Sequence, residues 1–109
     1  MEEKTIMLVC SAGMSTSMLV QKMKKAADEQ GKNYNIFATA ASEADGKLDR
    51  ENVSAILLGP QIQYMKEQFV EKGQKLNIPV DVINMQDYGM FNGQKVLKDV
   101  EQLIQDYNN

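Results

Sequence analysis

Residues 5–17 of the chain read TIMLVCSAGMSTS, and this stretch decides the fold. After the first threonine the run is apolar without a break as far as Cys10, which is typical of a strand buried on both faces. A loop of small residues follows, and Ser15, Thr16 and Ser17 are favourable residues for the start of a helix. Apolar residues then recur at helical spacing up to a glycine. The stretch therefore predicts a strand, a loop and a helix, with Cys10 at the end of the strand.

The same strand–loop–helix order recurs along the chain. Further strands are predicted at 35–40, 53–58 and 78–83, and further helices at 62–76 and 96–107. Pro79 indicates a strand start or an edge strand, and residues 42–52 indicate a loop with one short helix. Strands that alternate with helices predict a parallel sheet with right-handed crossovers. We expect a single α/β domain over residues 1–109, with a four-stranded parallel sheet and helices on both faces.

Length and composition limit the possible functions. The chain has 109 residues, which is the size of one domain, and its formal net charge of −3 makes nucleic acid an unsuitable partner. It has no histidine, so it contains no Ser-His-Asp or Cys-His pair and no histidine of its own to phosphorylate. A single cysteine forms neither an internal disulfide nor a cysteine-cluster metal site. The sequence predicts no metal and no cofactor.

The hydropathy pattern predicts no membrane-spanning segment. No apolar run approaches the roughly 18–20 residues of a membrane span, and the first residues, MEEK, lack the basic character of a signal peptide. We expect no direct membrane insertion. A single unpaired cysteine suits a reducing compartment, so the expected location is the cytoplasm.

Three loops are expected at one edge of the sheet. In an open parallel sheet, ligands bind beyond the carboxyl ends of the strands. The predicted strand ends place Ser11–Ser17, Gly59–Gln61 and Asn84–Gly93 there. We expect the chemistry where these three loops meet.

The loop after Cys10 is the strongest candidate site. Its residues are Ser11, Ala12, Gly13, Met14, Ser15, Thr16 and Ser17. Such a loop can turn successive backbone N–H groups toward one point, and the adjoining helix N-terminus adds positive potential, so that an anion is favoured. The same environment favours a thiolate, which is the nucleophilic form of cysteine. The alternative interpretation is an inert core thiol followed by a tight turn.

Sequence motifs limit the kinds of phosphate-binding protein to which this loop can belong. Neither GxxxxGK[ST] nor GxGxxG occurs, so nucleotide binding has no support. The loop resembles the cysteine phosphate loop of small tyrosine phosphatases, in which a cysteine is followed by five residues and an arginine. Here the sixth residue after Cys10 is Thr16. Without that arginine the clamp on the phosphoryl oxygens is missing, which disfavours a phosphatase.

Three segments together carry a more specific resemblance. The sequence reads CSAGMSTSMLV at 10–20 and LLGPQI at 57–62, and Tyr88-Gly89 is followed by Gly93. In order and spacing these segments resemble the enzyme IIB component of the bacterial sugar phosphotransferase system, lactose/cellobiose class. The resemblance spans the chain.

This resemblance implies a phosphotransferase that works in a relay. Enzyme IIA, phosphorylated on histidine, would give its phosphoryl group to Cys10. Phosphorylated Cys10 would pass the group to a disaccharide of the cellobiose, chitobiose or lactose type in the membrane permease, enzyme IIC. The chain would then be cytoplasmic and transiently at the inner face of the membrane through IIC.

Residues outside the cysteine loop complete the candidate site. Gly59, Pro60, Gln61 and Tyr88 are candidate wall residues, and Met14 is a candidate docking residue for the two partners. Two alternative functions stay open at this point. One is a small cysteine phosphatase or arsenate-reductase-like enzyme, and the other is a flavodoxin-like binding module with an inert thiol.

Overall fold

The computed structural model describes residues 4–11 and 14–108, with helices and strands in alternation. Four strands are formed: β1 (Lys4–Cys10), β2 (Tyr34–Ala40), β3 (Ala55–Leu58) and β4 (Val80–Val82). Five α-helices accompany them: α1 (Met14–Glu29), α2 (Ala44–Arg50), α3 (Lys66–Leu76), α4 (Met85–Gly89) and α5 (Gly93–Asn108). Short 3₁₀ segments, Ala41–Glu43 and Pro60–Met65, lead into α2 and α3.

The sheet has the predicted parallel architecture. Its strand order is β2-β1-β3-β4, and every neighbouring pair is parallel. Strand β1 is hydrogen-bonded on both sides: Ile6 is paired with Ile36 of β2 and with Ala55 of β3. The prediction of a four-stranded parallel sheet is confirmed. The apolar run that ends at Cys10 therefore lies at the centre of the sheet.

Helices cover both faces of the sheet, as predicted. The side chains of β1 alternate between two hydrophobic clusters because successive residues of a strand point to opposite faces. Ile6 and Leu8 belong to the cluster that contains the buried residues of α1 and α5. Met7 and Val9 belong to the cluster that contains Phe69 of α3 and Ala44 of α2. Burial on both faces fixes the end of β1 firmly.

Several element boundaries differ from the predicted ones. The strands predicted at 53–58 and 78–83 are shorter, because only Ala55–Leu58 and Val80–Val82 lie in the ladder. The apolar stripe at 62–76 begins as a 3₁₀ segment, with Ile62 outside helical dihedral angles, and becomes an α-helix only at Lys66. The predicted loop Asn84–Gly93 contains α4. The Asn84 side chain starts this helix by accepting a hydrogen bond from the N–H of Asp87 at 3.0 Å.

Strand β4 lies at the edge of the sheet, and Pro79 directly precedes it, as the sequence indicated. The N–H of Ile83 donates to the carbonyl of Leu58 at 2.8 Å, so alternation turns the N–H of Val82 away from β3. That outward N–H donates to Oδ1 of Asp81 at 2.8 Å. The Asp81 carboxylate also lies 3.6 Å from Nζ of Lys66.

Within residues 4–11 and 14–108, no helix is long and apolar enough to cross a membrane.

Candidate active site

Cys10 is the last residue of β1 and lies at the carboxyl edge of the sheet. Its residue is 4% exposed, and the thiol Sγ donates a long hydrogen bond of 3.9 Å to the carbonyl oxygen of Thr39 in β2. Helix α1 begins at Met14, so a three-residue connection separates the thiol-bearing residue from the helix N-terminus. The structure thus brings a nucleophilic residue type to the start of a 16-residue helix.

The residues of the predicted cysteine loop fall into two groups. Ser11 is an exposed bend residue, whereas Ala12 and Gly13 lie outside the described residues. Met14 through Ser17 are not loop residues but form the first turn of α1. The described side chains of this turn are Thr16, which is fully buried, and Ser17, which is exposed. The side chains of Met14 and Ser15 are not among those that the structure describes. The docking role predicted for Met14 therefore stays a prediction.

The buried hydroxyl of Thr16 has a distant partner in the sequence. Its Oγ1 lies 3.0 Å from the phenolic Oη of Tyr88 in α4, and either atom can donate. Tyr88 is 7% exposed and its ring belongs to the hydrophobic cluster under α1 and α5. The structure therefore brings Tyr88 to the first turn of α1, below the surface.

The Gly59-Pro60-Gln61 segment adjoins the end of β1. The N–H of Gly59 donates to the carbonyl of Val9 at 2.8 Å. Gly59 and Pro60 are buried, while Gln61 is exposed and folds its side chain back over Gly59. A β-carbon on Gly59 would lie 2.9 Å from Oε1 of Gln61 and 3.8 Å from Cβ of Cys10. Both the Gln61 carboxamide and the Cys10 side chain thus lie near Gly59.

Thr39 is a site residue that sequence reasoning did not single out. It reaches the Cys10 thiol through its backbone carbonyl, and no side-chain pattern announces a backbone contact. The pairing of the second predicted strand with the first could have indicated this residue, because that pairing places Thr39 opposite Val9 in the register. A thiol can donate to this carbonyl, but a thiolate cannot, so the contact is suited to the protonated cysteine.

One groove in the described part of the chain lies away from Cys10. It has a volume of about 440 Å³ between β4 and α5, and its lining includes Asp81 and Asp99 but not Cys10. Both carboxylates already have a lysine within 4 Å, Lys66 and Lys95 respectively. Among the described residues, no group of cysteine and carboxylate side chains is arranged to hold a metal ion.

The chain is a parallel α/β domain with a cysteine at the end of an interior strand, shortly before a helix N-terminus. Comparison with known proteins shows its family. Residues 5–99 match the family model of the lactose/cellobiose-specific IIB subunit of the phosphotransferase system. The chain belongs to this family, which confirms the resemblance noted in the sequence.

Relatives of known name agree with this assignment. The galactose-specific EIIB component of Lactococcus lactis subsp. cremoris is 48% identical over 95% of this chain and 99% of its own length. The cellobiose-specific EIIB component of Lactococcus lactis subsp. lactis is 47% identical over the same shares. The oligo-beta-mannoside-specific EIIB component of Bacillus subtilis is 40% identical over 93% of this chain and 96% of its own.

Solved structures agree as well. The cellobiose-specific IIB component from Borrelia burgdorferi superposes with a TM-score of 0.78 at 38% identity, covering 97% of this chain and 95% of that one. The lactose-specific IIB domain from Streptococcus pneumoniae gives a TM-score of 0.80 at 15% identity, covering 94% of this chain and 98% of that one, and supports the fold alone.

Proposed function

We propose that the chain carries a phosphoryl group on Cys10, which it accepts from a phosphohistidine of enzyme IIA and passes to a disaccharide bound by the permease IIC. The observation that carries this proposal is the position of Cys10, at the end of strand β1 and with only three residues between it and the start of α1. Membership of the IIB family supports it.

The electrostatics of this position favour an anion. The N–H groups of a helix's first turn have no partner within the helix, and the aligned peptide dipoles place positive potential there. A dianionic phosphoryl group at the start of α1 is stabilised by both effects. Since α1 has 16 residues, its dipole is fully developed.

The transfer needs no base from this chain. In the first step the N–P bond of the phosphohistidine breaks and an S–P bond forms, while the thiol proton passes to the released imidazole or to water. In the second step the S–P bond breaks and an O–P bond forms with a sugar hydroxyl, whose proton leaves to a base of the permease or to water. Such transfers depend mainly on alignment and on stabilisation of charge, which the absence of histidine does not impair.

The partners need a docking surface beyond the strand ends. Four large apolar side chains are exposed on segments that follow β1, β3 and β4: Met18 (53%), Tyr64 (79%), Met85 (67%) and Met90 (69%). We call these four residues the apolar rim. Methionine adapts to differently shaped surfaces, so one rim can receive both IIA and IIC in turn. A carrier with one reactive cysteine needs this, because both partners must reach the same sulfur.

The sugar is proposed as a disaccharide of the cellobiose or lactose type. The relatives differ in the sugar that they are named for, galactose and cellobiose, although their identity to this chain is nearly the same at 48% and 47%. This favours a sugar selectivity set mainly in the permease rather than in the IIB component.

The decisive experiment follows labelled phosphate from phosphorylated IIA into this chain. We expect one labelled peptide, containing Cys10, and no label in the Cys10→Ser and Cys10→Ala variants. Label on Ser15 or Thr16 in the parent protein would contradict the relay. Absence of any label with every lactose- and cellobiose-class IIA tested would favour the inert thiol.

A second measurement separates the carrier from a cysteine phosphatase. We expect hydrolysis of para-nitrophenyl phosphate at the background rate, because Thr16 is fully buried where a phosphatase would present an arginine. Saturable turnover that disappears in Cys10→Ser would favour the phosphatase instead.

A further inference from the structure

We infer that Tyr88 is a positioning residue for phosphoryl transfer: through its bond to Thr16 it fixes the first turn of α1 relative to Cys10. This inference rests on the proposed function. Tyr88 does not reach the reacting atoms itself. It acts on the rate by holding the helix whose N-terminal N–H groups stabilise the phosphoryl group.

The contact joins two segments that are far apart in the sequence. Thr16 is the third residue of α1 and Tyr88 is the fourth residue of α4. Their hydroxyl oxygens are 3.0 Å apart, and the two residues are 0% and 7% exposed. The Thr16 hydroxyl is fully buried, where a hydrogen-bond partner is needed, so the contact favours keeping the two segments together.

The α4 side of the contact is firmly held. The carbonyl of Asn84 accepts the N–H of Tyr88 at 2.9 Å, and the Asn84 side chain accepts the N–H of Asp87 at 3.0 Å. One residue earlier, Ile83 donates to Leu58 of β3 at 2.8 Å. Tyr88 is thus connected to the sheet by a short run of hydrogen bonds, and its hydroxyl has little freedom to follow a moving helix.

A second contact holds α1 further along its length. Gly93, the first residue of α5, packs so closely on α1 that a β-carbon there would lie 2.4 Å from the carbonyl carbon of Lys22 and 2.6 Å from the nitrogen of Met23. Thr16 and Lys22 are separated by roughly 9 Å along the helix axis at the usual rise per residue. The chain segment that leaves β4 therefore holds α1 at two points, and the Tyr88 contact is the one at the N-terminus.

The consequence is a division between binding and rate. A misplacement of reacting groups by about 1 Å can lower a transfer rate as much as a hundredfold, while docking of the partner depends on the exposed apolar rim. Tyr88 is buried and contributes no contact area to a partner. Loss of its hydroxyl should therefore act on kcat.

The Tyr88→Phe variant isolates the hydroxyl because the ring stays in the hydrophobic cluster. With phosphorylated IIA as donor, we expect kcat to fall about tenfold at unchanged KM, within the range for a small misalignment. Thr16→Val breaks the contact from the other side, so it serves if Tyr88→Phe folds poorly. The effects of the two single variants should be less than additive in the double variant, because both remove the same contact. Tyr107→Phe, on an exposed tyrosine near the end of α5, is the matched control.

Three kinetic results would overturn the inference. The first is a kcat within twofold of the parent's in folded Tyr88→Phe. The second is a raised KM at unchanged kcat, which would make Tyr88 part of the docking surface, and the third is additive effects in the double variant.

A partner-free measurement keeps this inference separate from the proposed function. Inorganic phosphate is titrated into the parent and the Tyr88→Phe protein, and the amide signals of residues 14–17 are followed by NMR. We expect weaker phosphate binding in the variant, because a displaced helix start presents its N–H groups less well. If the parent accepts no phosphoryl group from any IIA, the proposed function fails. Equal phosphate affinity in the two proteins would overturn the positioning role, whatever the transfer assay shows.

Discussion

The side chain of Gln61 occupies the space that Gly59 leaves empty: its Oε1 lies 2.9 Å from the point where a β-carbon on Gly59 would be. The same point is 3.5 Å from the carbonyl oxygen of Val9 and 3.8 Å from Cβ of Cys10. The glycine thus allows a carboxamide to lie against the end of the central strand. This is a steric use of glycine, and no unusual backbone angle is involved.

Gly59→Ala should therefore displace Gln61 rather than unfold the protein. A contact of 2.9 Å is too short, but the exposed end of a glutamine side chain can move away at small cost. We expect a free energy of unfolding within about 1 kcal/mol of the parent's, because the strain falls on a flexible group. We also expect a transfer rate that is a few-fold lower. Gln61→Ala should lower the rate equally. If Gly59→Ala transfers at the parent rate, the carboxamide has no role at Cys10.

The apolar rim predicts where a charge weakens docking. In Met85→Asp, the introduced carboxylate must be desolvated when a partner covers it, so we expect KM for phosphorylated IIA to rise about tenfold with little change in kcat. The matched control is Leu76→Asp. Leu76 is 50% exposed but lines a pocket with Lys4 and Ser54, at the opposite edge of the sheet. Equal effects of the two substitutions would mean that docking does not involve the rim.

Gly93 predicts a large loss of stability on a minimal substitution. A β-carbon there would meet the backbone of α1 at 2.4 Å and 2.6 Å, and backbone atoms cannot give way as a side chain does. We expect Gly93→Ala to lower the free energy of unfolding by about 3 kcal/mol, the upper range for overpacking, as measured by urea unfolding. Gly89→Ala is the control, because nothing lies within 4 Å of its β-carbon position, and it should be neutral or slightly stabilising. A Gly93→Ala protein as stable as the parent would show that α5 can shift away from α1.

Tyr34 predicts a loss of stability at alkaline pH. Burial, followed by the hydrogen bond to Glu101 and the charge of that carboxylate, raises the pKa of Tyr34 from 10.0 to about 12. The phenol donates to Oε2 of Glu101 at 2.5 Å, and Lys32 forms a salt bridge with the same oxygen. Because the folded state holds the proton more tightly, this stabilisation is complete below pH 10 and disappears as the pH rises through 12.

The measurement compares urea midpoints of the parent and Tyr34→Phe between pH 9 and pH 12.5. The parent should lose more stability than the variant over that window, and Tyr107→Phe should behave like the parent. Parallel curves for the parent and Tyr34→Phe would show that Tyr34 titrates alike in the folded and unfolded chain.

The sequence predicted the fold well because its strongest signals are local. The apolar run of β1 and the helical stripes of α1 and α5 need no tertiary information to be recognised. Boundaries were predicted less well where a neighbouring strand decides them. Val53 and Ile78 look like strand residues, but β3 and β4 pair only from Ala55 to Leu58 and from Val80 to Val82. Helix α4 was missed because its five residues carry no stripe, and a side-chain cap at Asn84 starts it.

The candidate site divides in the same way. The place of Cys10 at the end of β1 could be predicted from the apolar run, whereas α1 begins at Met14, inside the predicted loop Ser11–Ser17. The bond between Thr16 and Tyr88 could not be predicted, because it depends on how α4 is placed beside α1, and the two residues are 72 positions apart in the sequence. The Thr39 carbonyl also escaped prediction, since it comes from the pairing of β2 with β1 and not from a residue type.

The edge strand β4 has a consequence for the protein at high concentration. A free strand edge is a template on which another chain can add a strand, and this is how many soluble proteins begin to aggregate. Here the outward N–H of Val82 is occupied by the carboxylate of its own neighbour, Asp81, which leaves an incoming strand without that donor and places a charge in its path. The β4 edge is thereby protected against pairing with the edge of another copy of the chain.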